Sequence, residues 1–155
     1  MLSRYKFLSL LLVVAFTSCS PANSEPVSKN TSSEYNIVDE QEIFLEDALS
    51  QEEEKYIIFF HSETCTQCQQ IIEDVKAFAI ENILKTYFLN TTKPTNQVTI
   101  VPKDEVTVGV SDVNDLVIAG TPTIIEVENG VTTKNIPGKD KCLTYLNEQR
   151  LNNKN

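Results

Sequence analysis

Three stretches of this 155-residue chain predict an α/β domain, in which a parallel strand-helix-strand unit is followed by an antiparallel hairpin. Ile57 to Phe60 is a continuous apolar run, the composition that a central strand covered on both faces requires. Ile71, Ile72, Val75, Phe78 and Ala79 then recur at three- and four-residue spacing with Glu73, Asp74 and Lys76 opposite, which is the stripe of an amphipathic helix. Asn129-Gly130 sits between two β-rich runs, and both residues tolerate positive φ, so a tight hairpin turn is expected there.

The length suits one domain, and 41% hydrophobic with 23% charged residues is the composition of a chain that builds a core. A formal net charge of -9 offers no basic face to displace counterions, which argues against nucleic acid as a partner; the acidic surface reads first as an aid to solubility and second as one that favours cationic clients.

Met1 to Ser18 sets Arg4 and Lys6 before an apolar run from Phe7 to Phe16, short for a bilayer span but right for the core of a signal peptide. Phe16-Thr17-Ser18-Cys19 resembles a bacterial lipobox, although Phe16 stands where an aliphatic residue is usual. That resemblance implies cleavage before Cys19 and acylation of its sulfur, each buried methylene adding about 0.8 kcal/mol of membrane attachment. Residues 19–34 are then the lipidated N-terminus and a flexible tether, because Ser, Asn, Pro, Glu and Lys with scarcely an apolar residue cannot build a core.

The domain is expected over residues 35–151, with a polar tail at 152–155. Tyr35-Asn36-Ile37-Val38 reads as a short first strand, and Asp39 as the N-cap of a helix carrying Ile43, Phe44, Leu45, Ala48 and Leu49. After the Ile57–Phe60 strand, a helix is expected from near Cys65 to about Leu84, then a strand at Tyr87-Phe88-Leu89. Strand, helix, strand in that order implies parallel pairing with a right-handed crossover. Between Thr91 and Asp112 the β-rich pieces Val98–Val101 and Val106–Val108 predict a small hairpin turning at Lys103-Asp104. Asp112 reads as the cap of a short helix through Val113, Leu116 and Val117 that ends before Gly120. Thr123–Val127 and Val131–Lys134 form the hairpin, and a last helix after Pro137-Gly138 carries Leu143, Leu146 and Leu151.

Cys65-Thr66-Gln67-Cys68 falls where strand becomes helix, and Gly120-Thr121-Pro122-Thr123 precedes the hairpin. With this element order, those two motifs resemble the thioredoxin family over about Tyr35 to Arg150. The resemblance implies a thioredoxin-like fold, a central mixed sheet of four or five strands flanked by helices, with the Thr121-Pro122 bond cis and lying across from the cysteines. It also implies that Thr121 and Pro122 present an extended client segment. Two residues between cysteines on a helical first turn let the sulfurs approach closely enough for an exchangeable Cys65-Cys68 disulfide. At the positive end of the helix dipole, Cys65 would have its pKa lowered and attack, and Cys68, one turn inward, would resolve the mixed disulfide.

Departures from the family matter. Thr64 stands where thioredoxin has tryptophan, Thr66-Gln67 where it has Gly-Pro, and Phe59 where it has a buried aspartate that serves proton transfer during reduction. Threonine before the cis proline resembles exported isomerases and oxidases more than thioredoxin, and the direction of electron flow stays open. His61 and Glu63 are candidates for tuning the site, beside their plainer readings as a packing ring and a solvated acid. Cys142 reads as a small buried residue or a second redox partner. The function expected is a membrane-tethered, extracytoplasmic thiol-disulfide oxidoreductase. It would act on exported proteins or peptides, draw on a redox partner outside the cytoplasm, and need no cofactor or metal. The rivals are a non-enzymatic binding or assembly lipoprotein and a copper(I) carrier using His61, Cys65, Cys68 and Cys142; half a structural zinc site is disfavoured because no second cysteine pair exists. Small thioredoxin-like proteins that accompany bacteriocin export offer a further resemblance, which an acidic domain facing cationic peptides would suit.

Overall fold

The computed structural model describes residues 37–154. The expected signal peptide, the lipidation site Cys19, the tether, Tyr35-Asn36 and the terminal Asn155 lie outside the described residues. The elements that build the domain are β1 (Lys55–His61), α1 (Thr66–Glu81), β2 (Lys85–Asn90), β3 (Thr99–Ile100), β4 (Val117–Ile118), β5 (Thr123–Glu128), β6 (Val131–Pro137) and α2 (Lys139–Asn152). Four of the strands form a mixed sheet in the order β2-β1-β5-β6, with β1 parallel to β2 and antiparallel to β5. That topology, with helices packed on the sheet, is the thioredoxin-like arrangement.

The continuous apolar run in β1 has its expected cause. Ile57 and Phe59 point to one face, where they meet Ile71, Val75 and Phe78 of α1 and Tyr145 and Leu146 of α2. Tyr56, Ile58 and Phe60 point to the other, against Ala48, Leu116 and Ile118. All five are fully buried, so neither face of β1 could accept alternating polar residues. Helix α1 buries Cys68, Ile71, Val75, Phe78 and Ala79, one stripe at helical spacing whose first member is a cysteine. It ends three residues earlier than expected because Asn82 adopts φ +51 and its N-H turns back to the Ala79 carbonyl. Ile83 and Leu84 fold onto the core from outside the helix.

Four expectations were wrong, and three of them lost to a long-range pairing. Residues 37–40 are helical rather than extended, and no helix runs on from Asp39 to Leu49. Instead Gln41 and Ile43 bond the backbone of Phe88 (both 2.9 Å), covering the open edge of β2, and only a single 3-10 turn, Leu45–Asp47, follows. A turn does form at Pro102–Glu105, but its flanks do not pair with each other. Thr99–Ile100 pairs in parallel with Val117–Ile118, and Gly109 and Val110 bond the backbone of Thr132, covering part of the β6 edge. Asp112 caps as expected, its Oδ1 accepting from the Asn114 N-H at 2.9 Å, but the turn is one 3-10 turn, Val113–Asp115. Val117, expected in that helix, lies in β4.

The hairpin at Asn129-Gly130 is present, with Asn129 at φ +52 and Gly130 at φ +75. In α2 the buried positions are Cys142, Tyr145 and Leu146, while Leu151 is exposed.

Candidate active site

The site forms where β1 ends and α1 begins. Because β1 and β2 are parallel, their C-terminal ends lie together, His61 pairing with Asn90, so the loops after both strands meet at the dithiol. The Thr91 N-H donates to the His61 carbonyl at 2.8 Å, and the Glu63 N-H donates to Thr92 Oγ1 at 3.2 Å. Gln69 Nε2 donates to the Glu63 carbonyl at 3.0 Å, tying the loop to the first turn of α1.

Cys65 is the N-cap of α1, extended at φ -83 and ψ 106. Its Sγ accepts the Cys68 N-H at 3.1 Å, the place that a serine or aspartate oxygen takes at other helix starts. A sulfur so placed faces the unpaired N-H groups of the first turn and the positive end of the helix dipole, both of which stabilise a thiolate. Cys65 and Cys68 are disulfide-bonded with Cα atoms 5.2 Å apart. Cys65 is partly exposed, whereas Cys68, as the first residue of the buried stripe, is 3% exposed.

The Thr121-Pro122 bond is cis, and the Thr121 carbonyl oxygen lies 3.4 Å from Cys65 Sγ. Gly120 at φ +105 turns the chain into this segment, where Thr123 Oγ1 donates to the Gly120 carbonyl and the Gly138 N-H to the Pro122 carbonyl at 2.8 Å. Thr121 N-H has no hydrogen-bond partner among the described residues. The structure therefore brings Cys65, Cys68, Thr121 and Pro122 to one place.

His61 and Glu63 flank the dithiol from the other side. Phe59 is fully buried and stacks on the His61 ring, centroids 5.7 Å apart. His61 and Cys68 line one small cavity of about 110 Å³ with Ile72 and Gln69. A second, of about 320 Å³, shares His61, Glu63 and Ile72 with it and is also lined by Glu42 and Lys93. Burial holds the His61 imidazole below its ordinary pKa of 6.5; Glu42 and Glu63 pull upward and Lys93 pushes down. The Glu63 carboxylate accepts from Asn90 Nδ2 at 2.9 Å, so it is anchored to β2 rather than merely solvated.

Cys142 stands apart. It is fully buried, its thiol donates to the Ile136 carbonyl at 3.3 Å, and burial pushes its pKa up to about 12. Among the described residues no group of three or more His, Cys, Asp or Glu side chains is arranged to hold a metal ion. Sequence reasoning missed Asn90, Thr92, Glu42 and Lys93 as neighbours of the site. For Asn90 and Thr92 the signal was present: a parallel strand pair puts the residues after both strands at the same end.

No family model matches the chain, and no curated protein matches it. Solved structures of similar fold include thioredoxin f from spinach chloroplast in its long form, 16% identical with a TM-score of 0.46, over 77% of this chain and 94% of that one. Chlamydomonas reinhardtii thioredoxin f2 is 12% identical with a TM-score of 0.46, over 69% and 93%. Plasmodium falciparum thioredoxin is 15% identical with a TM-score of 0.42, over 70% and 97%. The likeness is one of fold, and it brings no substrate or direction of electron flow to this chain.

Proposed function

We propose that this chain is a thiol-disulfide oxidoreductase that works outside the cytoplasm, held to a membrane by acyl chains on Cys19, and exchanges disulfides with exported proteins or peptides. The observation that carries the redox reading is the asymmetry of the cysteine pair. Cys65 is partly exposed at a helix N-terminus with the Cys68 N-H on its sulfur, and Cys68 is buried behind it. An exposed, stabilised thiolate is the attacking group, and a buried thiol one turn inward is the resolving group.

In the reducing direction, Cys65 thiolate attacks one sulfur of a client disulfide, forming a mixed disulfide and releasing the other client sulfur as thiolate. Cys68, once deprotonated, attacks Cys65 Sγ, the client leaves as its second thiolate, and the Cys65-Cys68 bond closes. The client gains two electrons and the chain loses two. A redox partner outside the cytoplasm restores the dithiol, and in the oxidising direction the same steps run backwards. Thr121 supports client binding in this reading, since its carbonyl lies beside Cys65 Sγ and its N-H, without a partner among the described residues, can donate to the carbonyl of an extended client backbone.

The leader and lipobox support export and tethering. Cys19→Ala should abolish incorporation of radiolabelled fatty acid and release the domain from the membrane fraction; retention with unchanged labelling would sink the anchor. For the chemistry, Cys65→Ser should abolish insulin reduction by the dithiol form, and activity equal to that of the parent protein would sink the redox reading. The potential of the Cys65-Cys68 pair sets the direction, roughly -270 mV marking a reductant and roughly -120 mV an oxidant.

A further inference from the structure

We propose that His61 Nε2 takes the proton of the Cys68 thiol when Cys68 resolves the mixed disulfide, and passes it to solvent through the adjoining cavity. This rests on the redox reading of the Cys65-Cys68 pair.

A buried resolving thiol cannot attack until its proton has somewhere to go. Cys68 is 3% exposed and lies behind Cys65, so bulk water does not reach it freely. His61 Nε2 is buried and has no hydrogen-bond partner among the described residues, a condition that few buried polar atoms in native proteins show. His61 and Cys68 line the same small cavity, which is open to the surface and roomy enough for a water to bridge them. The ring is fixed from below by stacking on Phe59 and from the side by the edge of Phe88, centroids 6.4 Å apart.

The other charged groups around this ring are engaged. Glu63, from the loop before α1, is bonded to Asn90 of β2. Glu42, from the N-terminal segment, pairs with Lys93, from the loop after β2, at 2.6 Å. Lys76 of α1 pairs with Glu73 at 2.7 Å, and Asp39, which also lines the larger cavity, is exposed to solvent. An imidazole held below its ordinary pKa is neutral at pH 7 and ready to accept a proton. In the step, the Cys68 S-H bond breaks, its proton moves to Nε2, and the electron pair left on sulfur forms the bond to Cys65 Sγ. The client sulfur leaves with the pair of the broken disulfide. The imidazolium then loses its proton to water through the larger cavity that His61 and Glu63 share.

The test follows the two release phases when the reduced full chain meets 5,5'-dithiobis(2-nitrobenzoate). Attack by Cys65 releases the first thionitrobenzoate, and resolution by Cys68 releases the second. The Cys65→Ser, Cys68→Ser double variant supplies the background. In His61→Gln at pH 7 the first phase should stay within about twofold of the parent rate while the second slows by about 100-fold, the scale of a positioned base. The pH inflection of the second phase should vanish, and added imidazole should restore that phase in His61→Ala. A second phase within threefold of the parent, or one slowed equally at every pH with its inflection kept and no response to imidazole, overturns the role of His61. Loss of the first phase in the parent protein is a different outcome, because it overturns the redox reading on which this one stands.

Discussion

On the helix-covered face of the sheet, Glu126 of β5 and His61 of β1 are both polar side chains set among apolar neighbours, but their surroundings are opposite. Glu126 is 2% exposed and fully partnered: the Tyr145 hydroxyl donates to Oε2, Thr133 Oγ1 donates to Oε1 at 2.8 Å, and Lys134 Nζ lies 3.0 Å from Oε2. Lys55 Nζ adds a longer contact at 3.4 Å. His61 leaves Nε2 buried and, among the described residues, bare. Glu126 stands where β5, β6 and α2 are joined, and its bonds join them. His61 stands beside the dithiol, where a satisfied nitrogen would be unable to take a proton. A polar group that holds a fold together is used up by its partners, whereas one that serves chemistry is left with a position open.

The largest test of this contrast is removal of each group in turn. Lys134 and Lys55 are part-exposed and can turn to water, so the cost of Glu126→Ala falls on the stranded Tyr145 hydroxyl and the space left behind, about 2 to 4 kcal/mol in urea denaturation. Tyr145→Phe, which removes one bond to a charged acceptor and leaves the others, should cost about 2 kcal/mol. Neither change should slow resolution by Cys68. His61→Phe deletes an unsatisfied buried nitrogen while keeping a ring on Phe59, so it should raise stability by about 1 kcal/mol and slow resolution. Equal effects of the two replacements on both stability and resolution would erase the distinction.

Acid should separate the two groups by pH window. Above 6.5 His61 is neutral in both the folded and unfolded chain. As the pH falls below that value, the unfolded chain binds a proton that the buried ring resists, so stability declines toward the lower folded pKa. Burial raises the Glu126 pKa, but the bonds from Tyr145, Lys134 and Thr133 outweigh it and leave the carboxyl below its ordinary 4.5. Its contribution is complete above 4.5 and is lost as the pH falls through the folded value. Chemical denaturation from pH 7 to pH 3 should therefore show two declining limbs. His61→Phe should remove the upper one and Glu126→Gln the lower; a single limb untouched by either variant would contradict the assignment.

How far each region was legible from the sequence follows the reach of its interactions. Ile57–Phe60, the stripe Ile71–Ala79 and Asn129-Gly130 are local patterns with local causes, and they were read correctly. Cys65, Cys68 and Thr121-Pro122 were legible as motifs because the resemblance ties two distant stretches together. The segments that misled, 37–49 and 98–118, owe their shapes to bonds with Phe88 and Thr132 and, within the second, to the pairing of Thr99–Ile100 with Val117–Ile118, all beyond the reach of a window of adjacent residues. Glu126 is one polar residue in an apolar strand, and only the register that sets it under Tyr145 explains it. His61 was visible as a candidate, but its bare Nε2 and its shared cavity with Cys68 are properties of packing.

The smallest effect expected concerns Cys142, a third sulfur on the same face as His61 and Glu126. Its thiol is fully buried, donates to the Ile136 carbonyl and is pushed up to about 12, so almost none of it is thiolate at neutral pH. Reduced, folded protein carrying Cys19→Ser should react with iodoacetamide at one site, Cys65, with the buried Cys68 and Cys142 labelled only after denaturation. Cys142→Ala should cost about 1 kcal/mol, the loss of a small buried group that makes one weak hydrogen bond, and leave insulin reduction unchanged. Labelling of Cys142 in the folded state, or a loss of turnover in the alanine variant, would instead join it to the exchange chemistry. The contrast would then no longer lie between a partnered carboxylate and a bare imidazole, but between one working sulfur pair and a third sulfur coupled to it.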